Sequence, residues 1–140
     1  MISPVGMSEA GSRVGTFEDA VAVVWLERAA RGSCLEALER ALGVAEDSYL
    51  ERATCLELLG AAEIVAGALR GPRPGLPSGA LHVIARLSPS QVEPLRALAA
   101  RQVRRVLGAH SELREYWDER DHEFQLWRAN VLELCERLGG

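Results

Sequence analysis

Few residues in this chain are of a type and spacing to do chemistry, and one of them stands in an unusual place. Glu63 lies in Ala61-Ala62-Glu63-Ile64-Val65-Ala66, inside a run that is otherwise apolar on every side. Burying an unpaired carboxylate costs several kcal/mol, so at this position it must be ion-paired, hydrogen-bonded or protonated. Two arrangements satisfy that demand. One is an internal Glu–Arg pair or a hydrogen bond to a neighbouring helix. The other is a ligand-binding or catalytic carboxylate opening onto a cavity beside Gly60 and Gly67, with arginines from the second half of the chain orienting an anionic substrate.

The densest polar cluster is Asp118, Glu119, Asp121, His122 and Glu123. Its spacing matches neither a His-Glu-x-x-His helix nor a calcium loop, so no metal is expected. Acids that flank a helix boundary read as capping groups on a solvated turn. Asp118, Glu119, Asp121 and Glu123 also form a surface suited to a basic partner. Arg101, Arg104 and Arg105, with Arg96 nearby, share a helix face without the interleaved aromatic rings on which nucleic-acid bases stack, and read as a solvated, salt-bridged face. His82, His110 and His122 are scattered, with no serine or cysteine placed beside them as a nucleophile. Cys34, Cys55 and Cys135 are odd in number and never form a Cys-x-x-Cys pair, so they read as small core residues rather than disulfide or zinc ligands. No cofactor motif is present and none is expected.

All sixteen basic residues are arginine, set against twenty acids for a net charge of -4. Without lysine, a Gly-x-x-x-x-Gly-Lys phosphate loop, a lysine Schiff base and a lysine general base are excluded. The acidic balance disfavours nucleic acid as a partner. The longest purely apolar run, Ala20 to Leu26, is far short of the roughly 20 residues that span a bilayer. The first fifteen residues carry one basic residue, Arg13, and no apolar stretch of a secretory signal. The expected location is therefore the cytoplasm.

Helices must position these groups. Met1 to Thr16 is rich in Gly, Ser and Pro without a period, and is expected to be a flexible arm. Phe17, Val21, Val24, Trp25 and Arg28 then follow helical spacing up to Gly32. Ser33 with Glu36 has capping-box spacing and opens a second helix carrying Leu35, Leu38 and Leu42. Ser48 with Glu51 repeats that signature before a third helix, about Tyr49 to Leu69, which is apolar nearly all round and so is expected at the centre of its domain. Gly71 to Pro77 forms an extended linker, because its prolines lack amide donors and bias their predecessors away from helix.

In the second half, a short helix near Ser78 to Arg86 turns Leu81, Ile84 and Leu87 inward. A longer one starts at Glu93 or Pro94 and runs to Leu107, with Leu95, Leu98, Ala99, Gln102, Val103 and Val106 inward. Ser111 caps a two-turn helix, and Asp121 caps a last helix whose seam is Phe124, Trp127, Val131, Leu134 and Leu138. No strand pattern occurs. The expected fold is all-α: one domain over 17–140, of six or seven helices around the apolar helix at about 49–69. The linker at 71–77 is not read as a domain boundary, since about seventy residues on either side would make marginal cores.

Three stretches together resemble a family of small, mostly helical bacterial proteins classed as a domain of unknown function, which open with Trp-Gly-x-Gly-x-Phe-Glu-Asn-Asp-x-Ala-x-x-Trp-Leu. The matching residues are Gly15, Phe17, Glu18, Asp19, Ala22, Trp25 and Leu26. Further matches are Tyr49-Leu50-Glu51, Ala61 to Ala66, Leu76-Pro77, Ser111-Glu112-Leu113, Trp117 and Trp127. Ser12-Arg13 replaces the leading Trp-Gly, and Ala20 and Val21 stand where the family has aspartates. The resemblance implies an α-helical fold and no particular activity.

The function expected from these features is a non-enzymatic protein–protein interaction module. An immunity or antitoxin-like protein, whose acidic face meets a basic toxin, is its concrete form. The alternative is a small-ligand binder or enzyme using Glu63 in a pocket between helices. Trp25, Trp117 and Trp127 are expected in the core, and an exposed tryptophan would instead mark an interface.

Overall fold

The computed structural model describes residues 14–139, and its backbone is helical almost throughout. A 3₁₀ turn, Thr16–Glu18, leads into α1 (Ala20–Arg31), whose N-cap Asp19 accepts a hydrogen bond from Val21 N at 2.9 Å. Ser33 caps α2 (Cys34–Leu42) in the same way, accepting from Glu36 N. The central helix α3 (Arg52–Arg70) has 19 residues and is about 28 Å long. After the linker come α4 (Ser78–Ala85), a single helical turn (Pro89–Val92), a 3₁₀ turn (Glu93–Leu95) and α5 (Arg96–Val106). The last two helices are α6 (Glu112–Asp118) and α7 (Asp121–Arg137).

This is an all-α bundle of seven helices longer than one turn among the described residues, wrapped around α3. Every other helix packs on α3, including α5, α6 and α7 from the far side of the linker. Leu58 to Gly67 is an unbroken buried stretch, which only the centre of a bundle provides. Glycine within a helix costs about 1 kcal/mol relative to alanine, and here it permits close approach. A Cβ on Gly67 would come within 2.5 Å of Ile84 Cδ1, so the Ile84 side chain would have to shift from its place against α3. The three cysteines are free and buried.

Several expected details are corrected. The third helix does not start at Tyr49, because Leu50 is extended and forms the one β-bridge among the described residues. Leu50 N donates to His110 O at 2.9 Å, and Leu50 O accepts from Glu112 N at 2.8 Å. Ser48 therefore does not cap α3; its hydroxyl turns back to Ala45 O. The cap comes from another helix, as Arg52 N donates to Glu112 Oε1 at 2.7 Å, which places a carboxylate at the positive end of the helix dipole. Asp121 is the first residue of α7, with Arg120 in the cap position. The regular helix α5 starts at Arg96, since the chain around Pro94 is 3₁₀.

Two seam residues point outward. Val24 and Leu81 are 49% and 43% exposed, and the buried faces of α1 and α4 are Ala22, Trp25, Leu26 and Ala29, and Ala80, Val83 and Ile84. Arg28 is exposed and pairs with Glu57. Of the arm expected over Met1 to Thr16, positions 1–13 lie outside the described residues; Val14 is buried and Thr16 opens the 3₁₀ turn. Because Ile64 is wholly buried where α3 is most enclosed, Ile64→Asp should cost several kcal/mol or prevent folding. Loss of the helical circular dichroism signal at room temperature checks this.

Candidate functional site

Two cavities flank the opening 3₁₀ turn. The first, about 370 Å³, lies between the turn and α3, α6 and α7. Asp19 pairs there with Arg52. Two guanidinium groups lie over the ring of Tyr116: Arg120 at 3.7 Å from its centroid and Arg52 at 5.0 Å. Arg120 also donates to Tyr116 O at 2.6 Å. Tyr116 meets Trp117 edge-on, and Trp117 stacks on Trp127 at 6.5 Å. Trp127 is buried, whereas Trp117 is only half-buried and forms part of the cleft wall. Arg52 Nε is buried without an acceptor among the described residues.

The second cavity, about 280 Å³, is bounded by the same turn, the linker, Glu63, Arg73 and Asn130. Glu63 is 4% exposed. Its Oε2 accepts from Arg73 Nε at 3.0 Å and from Arg137 Nη1 at 2.7 Å. Arg73 Nη1 donates to Asn130 Oδ1 and lies 3.0 Å from Glu133 Oε1. Arg137 Nη2 donates to Gly71 O at 2.8 Å. Arg73 Nη2 is buried and meets no acceptor among the described residues. The cavity is not where it was expected, beside Gly60 and Gly67. Gly60 faces the rings of Phe17 and Trp25, and Gly67 faces Ile84. Proton transfer at Glu63 Oε2 would first have to displace an arginine, so the geometry is that of an ion pair bordering a cavity.

Asp118, Glu119 and Asp121 are exposed and carry no ion pair among the described residues. Glu123 is half-buried and lines the first cleft. The structure thus brings Glu123 to the cleft and leaves the other three on the corner where α6 turns into α7. Among the described residues, no group of three His, Cys, Asp or Glu side chains converges as metal ligands would. Glu112 and Glu115 tie α6 to the start of α3, the latter accepting from Tyr49 OH at 2.9 Å. Desolvation and the Glu115 carboxylate push the Tyr49 phenol up to about 12.

Several other polar groups are engaged or shielded. Arg101 pairs with Glu46, Arg96 with Glu93, and Arg105 donates to Ser48 O. Burial pushes the Cys55 and Cys135 thiols up, which disfavours the nucleophilic thiolate. Ser111 is buried, and its Oγ accepts from Arg114 N. The histidines fall on α4, the turn before α6, and α7. Sequence reasoning missed Arg52, Arg73, Tyr116, Asn130 and Arg137. The only local signal was that every cation is an arginine, the residue suited to buried forks and ring stacking.

Residues 13–130 match the family described as domain of unknown function DUF4259. The chain belongs to this family. No curated protein and no solved structure matches it. The DUF4259 match takes in the opening turn, both cavities' walls on α3, the first cavity's wall on α6, and α7 as far as Asn130. Arg137, one of the two partners of Glu63, lies beyond it.

Removing one member of a buried pair leaves the other charges uncompensated and costs about 3 to 5 kcal/mol. Glu63→Gln in the DUF4259 domain should therefore lose stability on that scale in urea denaturation. Glu133→Gln, whose side chain is 60% exposed, should change it by less than about 1 kcal/mol.

Proposed function

We propose that this DUF4259 domain is a protein-binding module rather than a catalyst, and that it meets a basic partner through the corner where α6 turns into α7. The observation that carries this reading is the state of Asp118, Glu119 and Asp121: three exposed carboxylates, close in sequence, with no cation of the described chain paired to them. Nearby arginines are committed elsewhere, Arg120 to Tyr116 and Arg114 to the ring of Phe124. Uncompensated charge of one sign at one corner raises association rates with a partner of opposite charge.

Beside the acids, half-buried Tyr116 and Trp117 supply aromatic surface of the kind that anchors interfaces. The acidic rim would steer, and the rings would hold. A basic toxin neutralised by an immunity- or antitoxin-type protein is one partner with the required charge.

The test compares the native chain with the triple variant Asp118→Asn, Glu119→Gln, Asp121→Asn. All three positions are exposed, so stability should stay within about 0.5 kcal/mol. Affinity capture with the native chain, from the cells that produce it, should yield a basic protein whose association slows as salt is raised. The triple variant should bind it at least about tenfold more slowly at low ionic strength. Equal association rates for the two chains, or capture of no basic protein, would contradict the proposal.

A further inference from the structure

The linker between α3 and α4 borders the second cavity, and its two ends are fixed while its middle is not. At one end Gly71 N donates to Gly67 O and Gly71 O accepts from Arg137 Nη2, each at 2.8 Å. At the other, Pro77 is the N-cap residue of α4, and its carbonyl accepts from Ala80 N at 3.0 Å. Between them, Pro72 to Leu76 makes no main-chain hydrogen bond to a helix among the described residues. Pro72, Pro74 and Gly75 are exposed, and Leu76 is half-buried. The tip of the segment is nevertheless stiff. Arg73-Pro74-Gly75-Leu76 has proline at the second position of a turn and, at the third, a glycine with φ +90°, the signature of a type II turn. Gly71, also at φ +90°, supplies a pivot, because glycine populates both signs of φ about equally.

One polar side chain holds this segment down. Arg73 reaches Glu63, Asn130 and Glu133. Three features make that hold releasable. Glu63 Oε2 keeps Arg137 at 2.7 Å when Arg73 leaves, so the buried carboxylate stays compensated. Glu133 is 60% exposed and returns to water at little cost. Arg73 Nη2, buried with no acceptor among the described residues, gains hydrogen bonds to water on release, so its desolvation is a cost that only the closed form carries. We propose that 72–76 is a strap, latched by Arg73 and opening about Gly71, that gates the second cavity. Arg73, Pro74, Gly75 and Leu76 form part of that cavity's wall, so opening exposes Glu63 and Asn130 while Arg137 keeps α7 tied to α3.

Nitrogen-15 relaxation dispersion on the full chain reads this motion, since lids open on microsecond and longer timescales. Amides of Arg73, Gly75 and Leu76 should exchange with a minor state that amides of α2 and α5 do not share. Asn130→Ala, which removes one latch contact, should raise the minor population about fivefold. Arg73→Met keeps an apolar stem and removes the latch. It should carry the Gly75 and Leu76 resonances to the minor-state positions found in the native chain, with the helical circular dichroism unchanged. Flat dispersion at the strap, exchange shared with α2 and α5, or an unchanged minor population in Asn130→Ala would each overturn the proposal. So would an Arg73→Met chain that unfolds or leaves its strap resonances in place.

Discussion

Glu63 must be neutralised inside the most enclosed helix of the bundle, and the way this is done constrains both halves of the chain. Its partners are not neighbours on α3. One is Arg73, in the linker, and the other is Arg137, at the end of α7. For both guanidinium groups to reach one carboxylate oxygen, the linker must fold back along α3, and the last turn of α7 must lie beside it. An apolar residue at this position would permit many packings of α7 against α3. A buried charge penalises every packing that leaves it unpaired, so in this bundle the ion pair selects a register as well as contributing energy.

Arginine does similar work elsewhere, at the ends of helices. The last carbonyls of a helix have no partner within it. Arg86 reaches Ala30 O at the end of α1, Arg137 reaches Gly71 O just past α3, Arg120 reaches Tyr116 O in α6, and Arg96 reaches Leu138 O after α7. Gln102 does the same for α2, donating to Leu42 O and Val44 O. Cations there also complement the negative end of the helix dipole. Because a planar fork can hold a carboxylate and a carbonyl at once, as Arg137 does, the absence of lysine is consistent with a fold closed by cross-element forks.

The hydrophobic pattern carried most of the architecture. The third helix read as central because its apolar residues leave no polar face, and all the other helices do pack on it. That a carboxylate within it needs a partner was legible from the cost of burial alone. Which arginines serve was not, since Arg137 is 74 residues away in sequence. The same limit explains the start of α3: Ser48 and Glu51 have the spacing of a local cap, but Leu50 pairs with the turn before α6, and Glu112 caps the helix from there. Val24 and Leu81 had the right period, yet α1 and α4 bury narrower stripes rich in alanine. The two cavities arise where four or more elements meet around the opening turn, and no single segment encodes them.

The Glu63 ion pair ties Arg73 of the linker and Arg137 of α7 to α3, so the two halves should behave as one folding unit. Native-state hydrogen exchange tests it most directly, by comparing amides from Leu59 to Gly67 in α3 with those from Val131 to Cys135 in α7 as denaturant is added. If the Glu63 ion pair joins the halves, both sets exchange through the same global opening, with equal free energies and equal dependence on denaturant. If the α7 amides open at a distinctly lower free energy while α3 stays protected, the last helix is an independent unit and the ion pair does not join the halves.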